Sequence, residues 1–384
     1  MWIFEARRES KVEKLKVEEL KSQRTSSAQT RGLPVRRRIS ALIPLWSSLF
    51  PVTCPLPPVL ASCILLFTFC LLPPAFCLFA ANGLYEVREV KPKVFVWIPE
   101  DVLDQDGDPQ FSRAGNAGFI ITEQGVVVVD TTNSPFHARE LLYEIRQRTE
   151  APVRYAINTA SDGDRMLGNE VFTDLQAAIL STPGTVAEMR QYQRDLRRRL
   201  NGEDGWRLES RMRGFHITLP NQTFSNQMTV KLSGQEVKLL GNLSPSGSTD
   251  GDAAVYLPAA KVLFLGELYE NGFFPRIGTR DIRRWIETLR ALENWEVEVY
   301  VPAHGAPGGK KELAEFRSFL EWVVREVSTR VKEGKSLDQI KKELQPSETY
   351  HWHAPELAPG SVEGVYRQLV AQPSASGLQQ SERQ

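Results

Sequence analysis

From Asn82 to its end the 384-residue chain contains no cysteine; Cys54, Cys63, Cys70 and Cys77 all lie in one apolar tract nearer the start. That part of the chain therefore forms no disulfide within itself, binds no metal through thiolate and has no cysteine nucleophile. It also lacks a Gly-x-Ser-x-Gly elbow and a Gly-x-x-x-x-Gly-Lys phosphate loop. Two widespread signatures of hydrolase and nucleotide sites are thereby excluded. No segment repeats. Net charge is missing as well, since 47 basic and 47 acidic residues cancel. The balance is uneven along the chain. Residues 1–40 hold 11 Lys and Arg against 5 Glu, which leaves 36 basic and 42 acidic residues beyond them. A mildly acidic body offers nucleic acid no electrostatic footing, and no nucleic-acid partner is expected.

What is present begins with a basic arm. Residues 1–40 mix charge with Ser and Gln and end in Arg36-Arg37-Arg38. They read as disordered, with helical spacing only over 11–20. An apolar tract follows over 41–81, densest from Val59 to Ala81 and interrupted by Pro73-Pro74. About 20 apolar residues span a bilayer. Basic residues ahead of such a run have the polarity of a signal peptide or membrane anchor. The expectation is an exported domain, with Ala75-Phe76-Cys77 as a small-x-small cleavage site, or a domain held to the membrane through 59–81 if uncleaved. Leu60-Ala61-Ser62-Cys63 has the form of a lipobox, but the apolar run continues past it, which argues against lipidation.

Beyond Asn82, apolar periodicity predicts strands at 85–90, 93–98, 118–122, 126–130, 153–157, 177–180, 216–219, 228–232, 237–240, 253–257, 262–265 and 297–301. Helical spacing covers 136–148, 183–200, 280–294, 311–332, 339–344 and 362–370, with Pro183 suited to a first helical turn. Asp104-Gln105-Asp106-Gly107-Asp108 opens like a calcium loop but lacks the later acidic ligand, and reads as a solvated acidic turn. His137 and His216 read as structural, and His351-Trp352-His353 as a surface loop. The Ser/Gln-rich residues 373–384 read as a disordered tail.

One stretch organises the body: Asn158-Thr159-Ala160-Ser161-Asp162-Gly163-Asp164-Arg165-Met166-Leu167-Gly168-Asn169, a loop following the strand at 153–157. It resembles the signature loop of the metallo-β-lactamase superfamily, Thr-His-x-His-x-Asp-His followed by Gly-Asn. Thr159, Gly163, Asp164, Gly168 and Asn169 fit the frame, while Ala160, Asp162 and Arg165 stand at its histidine positions. Further segments match in order. Asp130 ends a hairpin where the family has a bracing Asp. Gly247-Ser248-Thr249-Asp250-Gly251-Asp252 is similar to Gly-His-Thr-x-Gly-Asp. Tyr256-Leu257-Pro258 fits a strand end. Glu267 stands for the metal-bridging Asp, and Pro302-Ala303-His304-Gly305 keeps Pro-x-His-Gly.

The resemblance implies an α/β (α+β) fold: a four-layer αββα sandwich of two mixed sheets over 82–310, with a helical extension over 311–372 packing on it. It also implies a dizinc hydrolase, with one zinc at the positions of Ala160, Asp162 and Ser248 and the other at Asp164, Arg165 and His304. Alanine has no donor atom, serine is a poor zinc ligand, and Arg165 is a permanent cation. The expectation is therefore a protein without the zinc pair, in which Arg165 lies between Asp162, Asp164 and Glu267. Such a protein would bind a small molecule or a protein ligand in the remaining pocket. The alternative is a hydrolase of ester or amide type bonds. It would use one Mg²⁺, Mn²⁺ or Ca²⁺ ion held by Asp162, Asp164, Glu267 and His304. Or it would work without metal, through His304 and a carboxylate, with Asp164 and His304 as the catalytic pair. A histidine that merely anchors its loop is the plainer role for His304.

Overall fold

A computed structural model describes residues 85–100, 114–201, 216–241, 243 and 251–371. The basic arm, the apolar tract with its cleavage site, the 104–108 loop, Ser248 and the tail at 373–384 lie outside the described residues. Among the described residues no helix is long and apolar enough to cross a membrane.

Two mixed sheets form the middle of the molecule. The first contains β1 (Tyr85–Lys91), β2 (Val94–Pro99), β3 (Ala117–Thr122), β4 (Gly125–Val129), β5 (Val153–Ile157), β6 (Ala178–Ser181) and β7 (Gln222–Thr223), in that spatial order. β1 to β4 pair antiparallel and β4 to β7 parallel. The second sheet contains β8 (Gln227–Leu232), β9 (Gln235–Leu240), β10 (Ala254–Leu257), β11 (Val262–Gly266) and β12 (Val299–Pro302), the last two parallel.

The apolar runs explain the layering. Side chains alternate along a strand, so an unbroken Val run has both faces buried. In β4, Val127 and Val129 enter the core between the sheets with Val255, Val262 and Phe264. Val126 and Val128 face the other way, against α1 (Pro135–Arg146) and α3 (Asn169–Thr173), through Leu141, Ile145 and Phe172. In β11, Phe264 points between the sheets. Leu263 and Leu265 pack against α5 (Ile282–Leu292), α6 (Lys310–Lys332) and α9 (Ala358–Ala371). The result is helix, sheet, sheet, helix. Short helices α2 (Gly163–Met166), α7 (Leu337–Glu343) and α8 (Pro346–Thr349), and the longer α4 (Pro183–Leu200), complete the fold.

Two local expectations fail. Residues 216–219 form no strand, because the slot beside β6 goes to β7: Asn221 N–H donates to Ile179 O, and Leu180 pairs with Gln222. His351-Trp352-His353 is only partly a surface loop. Trp352 is half-buried against Phe274, Phe316, Phe319 and Tyr350, while His351 and His353 are exposed.

Candidate functional site

Parallel strands gather their C-terminal ends at one edge, and ligands in such folds sit beyond those ends. Here β4 delivers Asp130, β5 delivers the loop 158–165, β11 delivers Glu267 and β12 delivers His304. Asp130 takes the left-handed backbone region, φ 58°, which Asp tolerates better than most residues. Its carboxylate accepts from the Thr159 N–H at 2.8 Å and from Thr159 Oγ1 at 2.8 Å. Thr159 in turn lies against Gly266, φ 50°, where a Cβ would fall 2.2 Å from its hydroxyl. Asn158, Asn169 and Thr131 close the loop from below. Asn158 Nδ2 donates to Arg165 O at 2.7 Å and to Asn169 Oδ1 at 2.9 Å, and Thr131 Oγ1 donates to Asn169 Oδ1 at 2.8 Å.

The side chain held by this scaffold is Arg165, which is 0% exposed. Its Nε donates to Glu267 Oε1 at 3.0 Å and its Nη1 to Asn116 O at 2.9 Å. Its Nη2 donates to Asp164 Oδ2 at 2.9 Å and to Ala303 O at 3.0 Å. Asp130 Oδ2 lies 3.5 Å from Nη1. All three guanidinium nitrogens are engaged, as a buried charge requires. Burial opposes the charge, but Asp164, Glu267 and Asp130 hold the guanidinium pKa above its usual value.

Asp162 is not among these partners. It precedes α2 with an extended backbone and makes no capping bond. Its side chain is 42% exposed and lies 3.8 Å from Arg280. Desolvation in the pocket, then Glu267, push its carboxyl up against the pull of Arg280, an effect moderated by its access to solvent. Asp130 thus takes the place expected of Asp162, and the carboxylates around Arg165 are Asp130, Asp164 and Glu267.

His304 lies between two acids. Nε2 is 3.1 Å from Asp164 Oδ2 and Nδ1 is 3.1 Å from Glu270 Oε2. A carboxyl group at each ring nitrogen favours the doubly protonated ring, in which both nitrogens donate. Burial alone would push its pKa down; Glu270 and Asp164 outweigh it and raise the value to about 10. The two carboxylates respond in opposite directions. For Asp164, Arg165 and His304 overcome burial and hold the carboxyl well below its usual range. For Glu270, burial wins over His304 and the carboxyl is raised. Burial likewise lifts Asp130 to about 7, with Arg165 opposing.

Beside these groups lies a cavity of about 170 Å³ whose lining includes Asp162, Asp164, Glu267 and Glu270 and the rings of Phe273 and Phe274. Ala160, at 1% exposure, lies in the packed floor and lines no part of the cavity. Asp164, Glu267 and His304 each present an atom within 4.8 Å of the others and could hold a metal ion. Sequence reasoning missed Glu270, Phe273, Arg280 and the wall contributed by Ala354 and Leu357. They stand outside the matched motifs. The single legible signal was the His-Trp-His run, whose His353 stacks on Phe273 at 4.7 Å.

Residues 112–304 match the family model of the metallo-beta-lactamase superfamily. A linear primary-alkylsulfatase from Pseudomonas sp. (strain ATCC 19151) is 24% identical over 229 residues, 51% of this chain and 42% of that protein. The chain thus spans less than half the length of this curated relative. Among solved structures, the stereoselective inverting sec-alkylsulfatase Pisa1 from Pseudomonas sp. superposes with a TM-score of 0.53 at 18% identity, covering 74% of this chain and 50% of that one. A metallo-β-lactamase from Pontibacter korlensis gives 0.47 at 20% identity, covering 62% and 99%. At these identities the structural likeness is one of fold.

Proposed function

The chain belongs to the metallo-β-lactamase superfamily, and from that premise we propose that Arg165 supplies the positive charge which metal supplies in zinc-dependent members. The pocket above it then binds a small ligand rather than hydrolysing one. The observation that carries this reading is the complete burial of Arg165 with all three guanidinium nitrogens engaged.

Zinc in such sites takes nitrogen and oxygen ligands at about 2.0–2.2 Å. Ala160 has no donor atom, and Arg165 cannot deprotonate to become one. Two of the carboxylates a metal would need, Asp164 and Glu267, already lie within hydrogen-bond distance of the guanidinium. A zinc pair does not fit these residues. A metal-free His304 base is also disfavoured, because the carboxyl groups at both ring nitrogens favour its protonated form, which has no lone pair with which to accept a proton.

A second reading rests on the proximity of Asp164, Glu267 and His304. Such an oxygen-rich set with one imidazole suits one Mg²⁺, Mn²⁺ or Ca²⁺ ion. On that reading the protein is a hydrolase, as the alkylsulfatase relative is by name. Export belongs to either reading and is supported by the basic arm followed by the apolar tract at 41–81.

The test is the metal content of the purified protein, with melting curves recorded with and without chelator. The ligand-binding reading expects no stoichiometric metal and no chelator effect. About one equivalent of metal, lost on chelation together with stability, would overturn it in favour of the hydrolase.

A further inference from the structure

We propose that α1 is a membrane-docking face: Phe136 and Tyr143 enter the headgroup region of an anionic bilayer, and Arg139 meets its acidic lipids. The inference goes beyond the pocket and rests on the apolar tract at 59–81 staying in the chain as a membrane anchor.

The first support is the pattern of exposure. A single exposed apolar side chain is ordinary on a protein surface. Here the two most exposed large hydrophobic side chains among the described residues, Phe136 at 59% and Tyr143 at 58%, belong to one helix. Seven residues apart, about two helical turns, they share a face. Another face of α1 packs on the first sheet through Ala138, Leu141 and Ile145. Exposed rings beside a basic residue on an amphipathic helix are suited to a membrane interface.

The second support is the point where the chain enters the domain. β1 begins at Tyr85, and only Asn82, Gly83 and Leu84 separate it from Ala81, the last residue of the apolar tract. Fully extended, that link reaches at most about 14 Å. Tyr85 is tied to both ends of α1. Its hydroxyl donates to Glu144 Oε1 at 3.1 Å. Its ring lies 5.3 Å from Trp97, which lies 5.7 Å from His137, whose ring is 5.4 Å from Phe136. A bilayer that holds the tract therefore comes close to α1.

The third support is charge. Arg139, between the two rings, is exposed and has no ion-pair partner among the described residues. The acids of α1 are withdrawn or neutralised. Glu140 is half-buried, with Oε2 shut away from solvent, and Glu144 is engaged by Tyr85 and Arg148. The face thus presents an uncompensated positive charge, which acidic lipids attract.

The experiment places the full chain in lipid nanodiscs, with the photocrosslinker p-benzoylphenylalanine replacing Phe136, Tyr143 or Val370 in turn. Adducts are identified by mass spectrometry. Val370 is the control: it is 50% exposed, and its helix α9 packs on the second sheet, in the opposite outer layer. Lipid adducts are expected at Phe136 and Tyr143 and not at Val370. With phosphatidylserine as about a third of the lipid, the yield at Tyr143 should exceed that in phosphatidylcholine alone by about fivefold, the factor for one basic residue at an anionic surface. Arg139→Glu should abolish that excess. Equal lipid labelling at all three positions, or yields indifferent to phosphatidylserine, would overturn the proposal. Adducts to protein alone would do the same, by showing that a second copy or the chain's own apolar tract covers α1. A full chain that fails to enter the discs would overturn it by removing the anchor.

Discussion

Gly115 and Arg165 are fitted to one another. A Cβ built on Gly115 would lie 2.0 Å from Arg165 Nη2 and 2.5 Å from Asp164 Oδ2. The glycine is needed here for the space its missing side chain leaves: it forms one wall of the guanidinium's cradle, and the carbonyls of Asn116 and Ala303 form others.

Gly115→Ala should therefore act like removal of the ion pair. The guanidinium must move, leaving Asp164, Glu267 and Asp130 buried without their cation. Breaking a buried pair from one side costs about 3–5 kcal/mol. Arg165→Ala should cost a similar amount, and the double variant should cost little more than either, since both remove the same contacts. Urea unfolding of the three variants measures this. Additive losses, or an unaffected Arg165→Ala protein, would show that the guanidinium does not hold the carboxylates together.

His304 sets an alkaline limit on stability. Its folded pKa of about 10 lies above the ordinary 6.5, so between those values the folded chain holds a proton that the unfolded chain has released. Stability gained from that proton is complete below about pH 6.5 and is lost as pH rises toward 10, a loss bounded at about 5 kcal/mol. Asp164 works in the opposite sense: its lowered pKa stabilises the fold above the usual carboxyl range, and that contribution disappears on acidification. His304→Gln should thus flatten the alkaline limb and weaken the acid limb, which keeps the share that Arg165 contributes by holding the Asp164 carboxyl down. Urea midpoints at about pH 6.5 and pH 9.5 for both proteins decide the matter; parallel alkaline losses would mean that the histidine carries no extra proton.

The layers were legible in the sequence because an unbroken run such as Val126–Val129 can only be buried on both faces, and because the motif segments kept their order. The site was legible only in part. Arg165 could be foreseen as a cation among carboxylates, but not its choice of Asp130 over Asp162. That choice depends on Asp162 preceding α2 and turning its side chain outward, which spacing along the chain does not encode. Glu270 and Arg280 lie between β11 and α5 in irregular chain, where no periodicity marks which side chain turns inward. Gly115 could not be singled out either: a glycine reveals a close approach only once its neighbour is in place.

Arg165→His tests the substitution of guanidinium for metal from the opposite direction. The change removes a permanent cation and introduces an imidazole beside Asp164, Glu267 and His304, which already bring ligand atoms within 4.8 Å of one another. Imidazole and carboxylate together are a suitable donor set for zinc. Without the guanidinium, the carboxylates also need a new cation. The variant should take up about one equivalent of Zn²⁺ and melt higher with zinc than without, whereas the parent protein and Arg165→Met should do neither. Elemental analysis after equilibration with zinc and gel filtration gives the stoichiometry, and melting curves give the linkage to folding. Zinc taken up equally by the parent would mean that Arg165 coexists with metal, and the charge-replacement account would then be wrong. Uptake confined to Arg165→His would identify this one side chain as what keeps zinc out of the site.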